Sequence, residues 1–155
     1  MNESKLDVKK RAVIEIAENL FLSQGLATTE MKEIARCASI SRSTLYRMFD
    51  SRETLAFAVA DKCLHELFDP KPMEIYGTDR SGFEILRSYS SNLIETMIQG
   101  VRYVKYLSEF DQMFSGDYPD TPEARKYVQF NRQRHDRQIL LNILRLGTED
   151  GSIRG

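Results

Sequence analysis

The sequence predicts an all-α chain on three observations: apolar residues recur at three- and four-residue steps, cap residues stand at the segment boundaries, and no strand-like alternation occurs. The first stripe runs from about Lys9 to Ser23, where Val13, Ile16, Ala17, Leu20 and Phe21 share one helical face, and Gly25 closes it. Thr28 and Thr29 offer an N-cap for the next helix, Glu30 and Glu33 occupy its first turn, and Met31, Ile34, Ala35 and Ala38 supply its stripe. Ser39-Ile40-Ser41 then reads as a tight turn, with Ile40 an apolar plug and Ser41 a fresh N-cap for a short helix over about Arg42 to Phe49. Asp50, with Glu53 three residues on, opens a longer helix through Leu55, Val59, Leu64 and Leu67, and Pro70 and Pro72 stop it.

The segment Asp69 to Arg80 reads as a loop or boundary. Three more helices are expected beyond it, over about 81–99, 101–114 and 122–146. The last has Thr121 as N-cap, Pro122 at the first helical position and Gly147 as its end. The expected organisation is a three-helix head of residues 1–52 followed by a helical unit of residues 53–155.

A length of 155 residues excludes a large two-domain enzyme, and 41% hydrophobic with 29% charged residues is a composition that collapses. No run approaches the roughly 18 to 20 apolar residues that cross a bilayer, and the first residues lack the apolar core of a secretory signal, so a soluble cytoplasmic protein without a membrane partner is expected. Cys37 and Cys63 are too few for a disulfide framework and are expected to be buried free thiols. No metal, cofactor or nucleophile motif stands out, and His65 and His135 are far apart, so no enzyme, metal or cofactor is expected. The net charge of -1 hides an asymmetry: residues 1–52 carry nine bases against seven acids, and the remainder 13 against 16.

On the helix from Arg42 to Phe49, at 100° per residue, Leu45 and Phe49 turn toward the stripe of Ile34, Ala35, Ala38 and Ile40. Ser43, Thr44 and Arg47 point away, with Arg42 and Tyr46 at the boundary. Such a face suits a DNA groove, because guanidinium groups bond guanine edges or phosphates and hydroxyls bond phosphate oxygens. This is the outline of a helix-turn-helix. A solvated basic face, or a helical adaptor that binds protein, is the alternative; an adaptor calls for exposed apolar anchors where this face has hydroxyls and guanidiniums.

The order Gly25-Leu26-Ala27-Thr28-Thr29, Ile34-Ala35, Ile40 through Phe49, and Ser51-Arg52-Glu53-Thr54-Leu55 resembles the N-terminal signature of the TetR family of bacterial transcriptional regulators. The resemblance spans about 50 residues. It implies that Thr29, Lys32, Ser41, Ser43, Thr44, Tyr46 and Arg52 touch the DNA backbone, and that Arg42 and Arg47 read bases. Three positions depart from the family pattern: Ser39 stands for the turn glycine, Glu30 for a Ser or Thr that could serve a phosphate, and Arg52 for a Lys of the same charge.

The resemblance also implies a ligand-responsive repressor that binds a palindromic operator in double-stranded DNA as a homodimer, with a small-molecule effector held in the helical regulatory domain. Tyr89, Met97, Tyr103, Tyr106, Phe110 and Met113 are the candidate pocket residues, because aromatic and sulfur side chains are dense there. The same density also suits plain core. The basic run Arg125, Lys126, Arg132, Arg134, His135 and Arg137 reads as a solvated face or an anion site. Set against the family, the chain is expected to lack the usual last two helices.

Overall fold

The computed structural model describes residues 4–68, 79–116, 118–133 and 136–154, with eight helices and no strand among them. Helix α1 (Lys5–Gln24) begins earlier than its apolar stripe, because Ser4 and Asp7 form a capping box: the Asp7 N–H donates to Ser4 Oγ at 3.1 Å and the Ser4 N–H to Asp7 Oδ2 at 3.3 Å. It ends at Gly25, whose φ of 98° is left-handed territory that suits glycine. Helix α2 (Met31–Cys37) has Glu30 as its N-cap residue rather than Thr28 or Thr29. Both threonines turn back instead, Thr28 Oγ1 donating to the Gln24 carbonyl at 2.7 Å and Thr29 Oγ1 to the Gly25 carbonyl at 2.8 Å.

The turn after α2 keeps the geometry of a glycine turn although no glycine is present. Ser39 adopts φ 53°, its N–H donates to the Arg36 carbonyl at 3.1 Å, and the Ile40 N–H donates to the Ala35 carbonyl at 3.0 Å. These two bonds are the Schellman pattern that satisfies the last carbonyls of a helix. A side chain in this conformation costs roughly 1–2 kcal/mol, and glycine's freer unfolded chain returns roughly 0.4–1 kcal/mol of that. Ser39→Gly is therefore expected to stabilise the protein by about 0.5–1 kcal/mol, read as a rise of roughly 1–4 °C in melting temperature.

Helix α3 (Arg42–Met48) starts where the sequence places it, with Ser41 Oγ accepting from the Thr44 N–H at 3.1 Å. Phe49 is its C-cap and is buried. Helix α4 (Arg52–Phe68) is capped by Ser51, not Asp50: Ser51 Oγ accepts from the Thr54 N–H at 3.1 Å. Pro70 and Pro72, expected to stop the helix, and the rest of the expected loop as far as residue 78 lie outside the described residues.

Helix α5 (Gly82–Gln99) opens with a Ser81–Glu84 capping box, and Gly100 joins it to α6 (Val101–Met113). The long final helix of the sequence reading is described in two stretches, α7 (Pro122–Gln133) and α8 (Asp136–Glu149); Arg134 and His135 between them lie outside the described residues. The two stretches have different partners: α7 packs on α4, α8 on α5. Thr121 caps α7 as expected, accepting from the Ala124 N–H at 3.2 Å. Gly147 does not end α8 but sits inside it, where a Cβ would lie 2.3 Å from Ile153 Cδ1, and a Cβ on Gly82 would lie 2.2 Å from Gly147 Cα. The helix stops before Gly151, φ 74°.

Helix α4 is the centre of the molecule, packed against α1, α6 and α7 and buried from Thr54 to Ala60. Its Phe57 ring meets those of Phe110 at 4.8 Å, Phe114 at 5.1 Å, Tyr118 at 5.3 Å and Tyr127 at 5.7 Å between centroids. One buried cluster runs from Val13 in α1 through α4 to Tyr127 in α7, so α4 is shared between the first three helices and the rest. Glu18, nearly fully buried in α1, forms an ion pair with Lys62 of α4. Cys63 is buried as expected, and burial pushes its thiol up to about 12; Cys37, expected to be buried, is exposed on the last turn of α2.

Asp61 carries a local cost. Its Oδ1 is enclosed with no hydrogen-bond donor, and burial raises the carboxyl above its ordinary 3.8 against the pull of His65 and Lys126. A carboxyl raised by folding contributes stability that is complete below its unfolded value and lost as pH rises through the folded one, so at neutral pH the ionised group opposes folding. Asp61→Asn is expected to gain about 1 kcal/mol at pH 7. In thermal melts the gain should shrink as pH falls through the raised folded value and be gone below the ordinary 3.8; a gain independent of pH would exclude this cause.

Candidate nucleic-acid interface

Helices α2 and α3 meet through the Ser39 turn and bury Ile34, Ala35, Leu45 and Met48 between themselves and α1. That packing turns the other side of α3 outward. Arg42, Ser43, Tyr46 and Arg47 are exposed and Thr44 is half-buried. The hydroxyls form a small network: Ser41 Oγ lies 3.0 Å from Ser43 Oγ and 2.8 Å from Thr44 Oγ1, and Arg47 Nη2 donates to Thr44 Oγ1 at 3.2 Å. Arg47 is thereby held along the outer face. Among the described residues no carboxylate forms an ion pair with Arg42 or Arg47.

The other predicted contact residues divide. Lys32 is exposed but its Nζ lies 2.7 Å from Glu30 Oε2. Arg52 is half-buried, its Nη1 donating to the Ala27 carbonyl at 3.3 Å, so part of its charge closes the α1–α2 loop. Thr29 is a correction: it is 0% exposed with its hydroxyl spent on Gly25, and a group so placed cannot meet a phosphate. Sequence reading missed Lys10, whose Nζ lies over the Phe49 ring, 5.6 Å from its centroid, and so stands beside the end of α3. No local pattern marks that lysine, because the approach joins α1 to a residue beyond α3.

Sequence reading also missed Glu109, on α6. Its Oε1 accepts from the Ala27 N–H at 3.1 Å, across 82 residues. Ala27 is thus held from both sides, its N–H by Glu109 and its carbonyl by Arg52. One turn earlier on α6, Tyr106 donates its hydroxyl to the Ala56 carbonyl at 2.9 Å and stacks on Phe21, 6.0 Å between centroids.

The six pocket candidates do not come together. Tyr106 and Phe110 are core, Tyr106 with its hydroxyl satisfied and raised well above its ordinary value by burial, and Phe110 fully enclosed by aromatic rings. Tyr103 is half-buried and accepts from Arg102 Nη2 at 2.7 Å, Tyr89 is half-buried on α5, and Met113 is exposed at the end of α6. Met97 alone of the six lines an open groove of about 470 Å³ between α4, α5 and α6, with Leu67, Phe68, Val104, Leu107, Ser108, Asp111 and Gln112. Of the basic run, Arg125 pairs with Asp120 at 3.2 Å, and Arg125 and Arg132 line a second open hollow at α7. Among the described residues no group of three or more His, Cys, Asp or Glu could hold a metal ion, and no helix is long and apolar enough to cross a membrane.

The family described as "Bacterial regulatory proteins, tetR family" matches residues 13–59. An uncharacterized HTH-type transcriptional regulator of Mycobacterium tuberculosis is 50% identical over 46 residues, which are 30% of this chain and only 23% of that protein. The HTH-type transcriptional repressor KstR2 of Rhodococcus jostii is 25% identical over 150 residues, covering 94% of this chain and 68% of the repressor. The crystal structure of a tetR family transcription regulator from Shewanella sp. PV-4 shares the fold, with a TM-score of 0.56 at 22% identity over 92% of this chain and 71% of that one. The matched residues are those that build α1 to α4, so the head is similar in sequence to the DNA-binding region of the TetR family of bacterial transcriptional regulators, and the helical body behind it shares the fold of a solved structure described as a tetR family regulator.

Proposed function

We propose that this chain is a ligand-responsive repressor that reads a palindromic operator as a homodimer, acting in the cytoplasm. The observation that carries the reading is the outer face of α3, where two guanidiniums that form no ion pair among the described residues stand among hydroxyls on a rod anchored by Leu45 and Met48. Arg42 and Arg47 read base edges; Ser41, Ser43, Thr44 and Tyr46 bond phosphates. The name repressor comes from KstR2, which is similar along nearly the whole chain. Two heads of a dimer enter successive major grooves roughly 34–36 Å apart.

Ligand response is supported by α6, which lines the open groove on one side and grips the head on the other through Tyr106 and Glu109. An effector in the groove that prefers a different seat of α6 lowers DNA affinity by its differential binding, typically about 5- to 150-fold. The division of labour is a DNA-reading head through residue 52 and a sensing body from residue 53.

The test is selection of bound duplexes from a random library. Recovery of a palindrome with half-sites one helical turn apart supports the dimer and the readout together. Recovery of no preferred sequence, or binding unaffected by salt, removes the reading, since phosphate contacts release counterions with a log-log slope of about -0.9 each.

A further inference from the structure

Glu30 sits within the cationic face but does none of the work expected at its position. It is the N-cap residue of α2, yet its side chain accepts no capping hydrogen bond. Its carboxylate reaches Lys32 instead, Oε2 to Nζ 2.7 Å, with the two side chains 61% and 58% exposed. The carboxyl is held below its ordinary 4.5 first by the hydrogen bond from Lys32 and then by the charges of Lys32, Arg42 and Arg52, so it is ionised throughout the neutral range. Arg42 and Arg52 flank the DNA-reading face on α3 and α4. An anion among these three cations repels a phosphate backbone and occupies the exposed Lys32 ammonium.

We propose that Glu30 is an affinity-setting residue, an electrostatic brake that keeps Lys32 out of the phosphate interface and weakens binding to duplex DNA of any sequence. This rests on the DNA-binding reading above. The brake acts on the charge term that supplies nearly all non-specific binding, and leaves base reading by Arg42 and Arg47 in place. Its effect is to limit how much of the protein is held on random DNA.

The experiment is titration of the full chain with a random-sequence duplex across a salt series, comparing wild type, Glu30→Gln, Lys32→Ala and the double variant. Glu30→Gln should bind about tenfold more tightly at 0.1 M salt and steepen the log-log salt slope by about 0.9, the signature of one added phosphate contact. Lys32→Ala should bind no more tightly than wild type, because it leaves the Glu30 carboxylate unpaired, and should abolish the gain in the Glu30→Gln background. Equal or weaker binding by Glu30→Gln overturns the proposal, as does a gain that survives in the double variant. If no variant, wild type included, binds duplex, the DNA-binding reading itself fails and this proposal falls with it. Thermal melts of all four proteins should coincide, because both side chains are exposed.

Discussion

Replacing Arg42 or Arg47 with alanine is expected to weaken binding to the selected operator by about 5- to 150-fold each, the value of about 1–3 kcal/mol per guanidinium that reads a base edge. Both side chains are exposed and neither is tied to a carboxylate among the described residues, so their removal should leave the melting temperature nearly unchanged. Arg47 is oriented by the Thr44 hydroxyl at 3.2 Å, which restricts its freedom before DNA arrives and so reduces the ordering cost of binding. The measurement is a titration with operator and with a random duplex at one salt concentration. Base readers lose far more on the operator than on the random duplex. An equal loss on both makes the guanidinium a phosphate contact, and no loss on either removes α3 from the interface.

The second large effect concerns stability. Phe57→Ala is expected to cost about 3–5 kcal/mol, a fifth or more of the roughly 5–15 kcal/mol that holds a domain of this size together. Phe57 is fully buried at the middle of α4, and four other rings, from α6, the chain after it and α7, lean on it at 4.8 to 5.7 Å. Alanine leaves a cavity that helices on three sides cannot collapse into without moving. The melting temperature should fall by roughly 6–20 °C, followed by circular dichroism. Phe83→Ala is the contrast: Phe83 is 53% exposed on α5 and its loss should fall within about 0.5 kcal/mol. A small effect at Phe57 would mean that α4 is not the common core of head and body.

Arg42, Arg47 and Phe57 also mark what could be read in advance. Arg42 and Arg47 were legible because Leu45 lies between them on the buried face, and one turn of helix geometry settles which side each occupies. Phe57 lies in a helix buried on nearly every side, where periodicity carries little information. Caps were legible where a single hydroxyl faced one open N–H, as at Ser41 and Thr121. They were not where two candidates competed: Ser51 displaced Asp50, and Thr28 and Thr29 turned back to α1, leaving Glu30 at the head of α2. Ser39 was recognised as a departure from a turn glycine, but only the backbone shows that the turn survives it, at φ 53°.

Sequence alone determined the helical class, the order of stripes and turns in the first 50 residues, and the cationic face of α3, since each depends on residues within a few positions of one another. Tertiary structure decided the rest: that Thr29 is interior, that Tyr106 and Phe110 are core, that the two stretches of the final stripe pack on different partners, and that Glu109 reaches Ala27. Those outcomes depend on how separate helices seat against each other, and a side chain's neighbours across 50 or 82 residues leave no periodic trace in the chain that carries them.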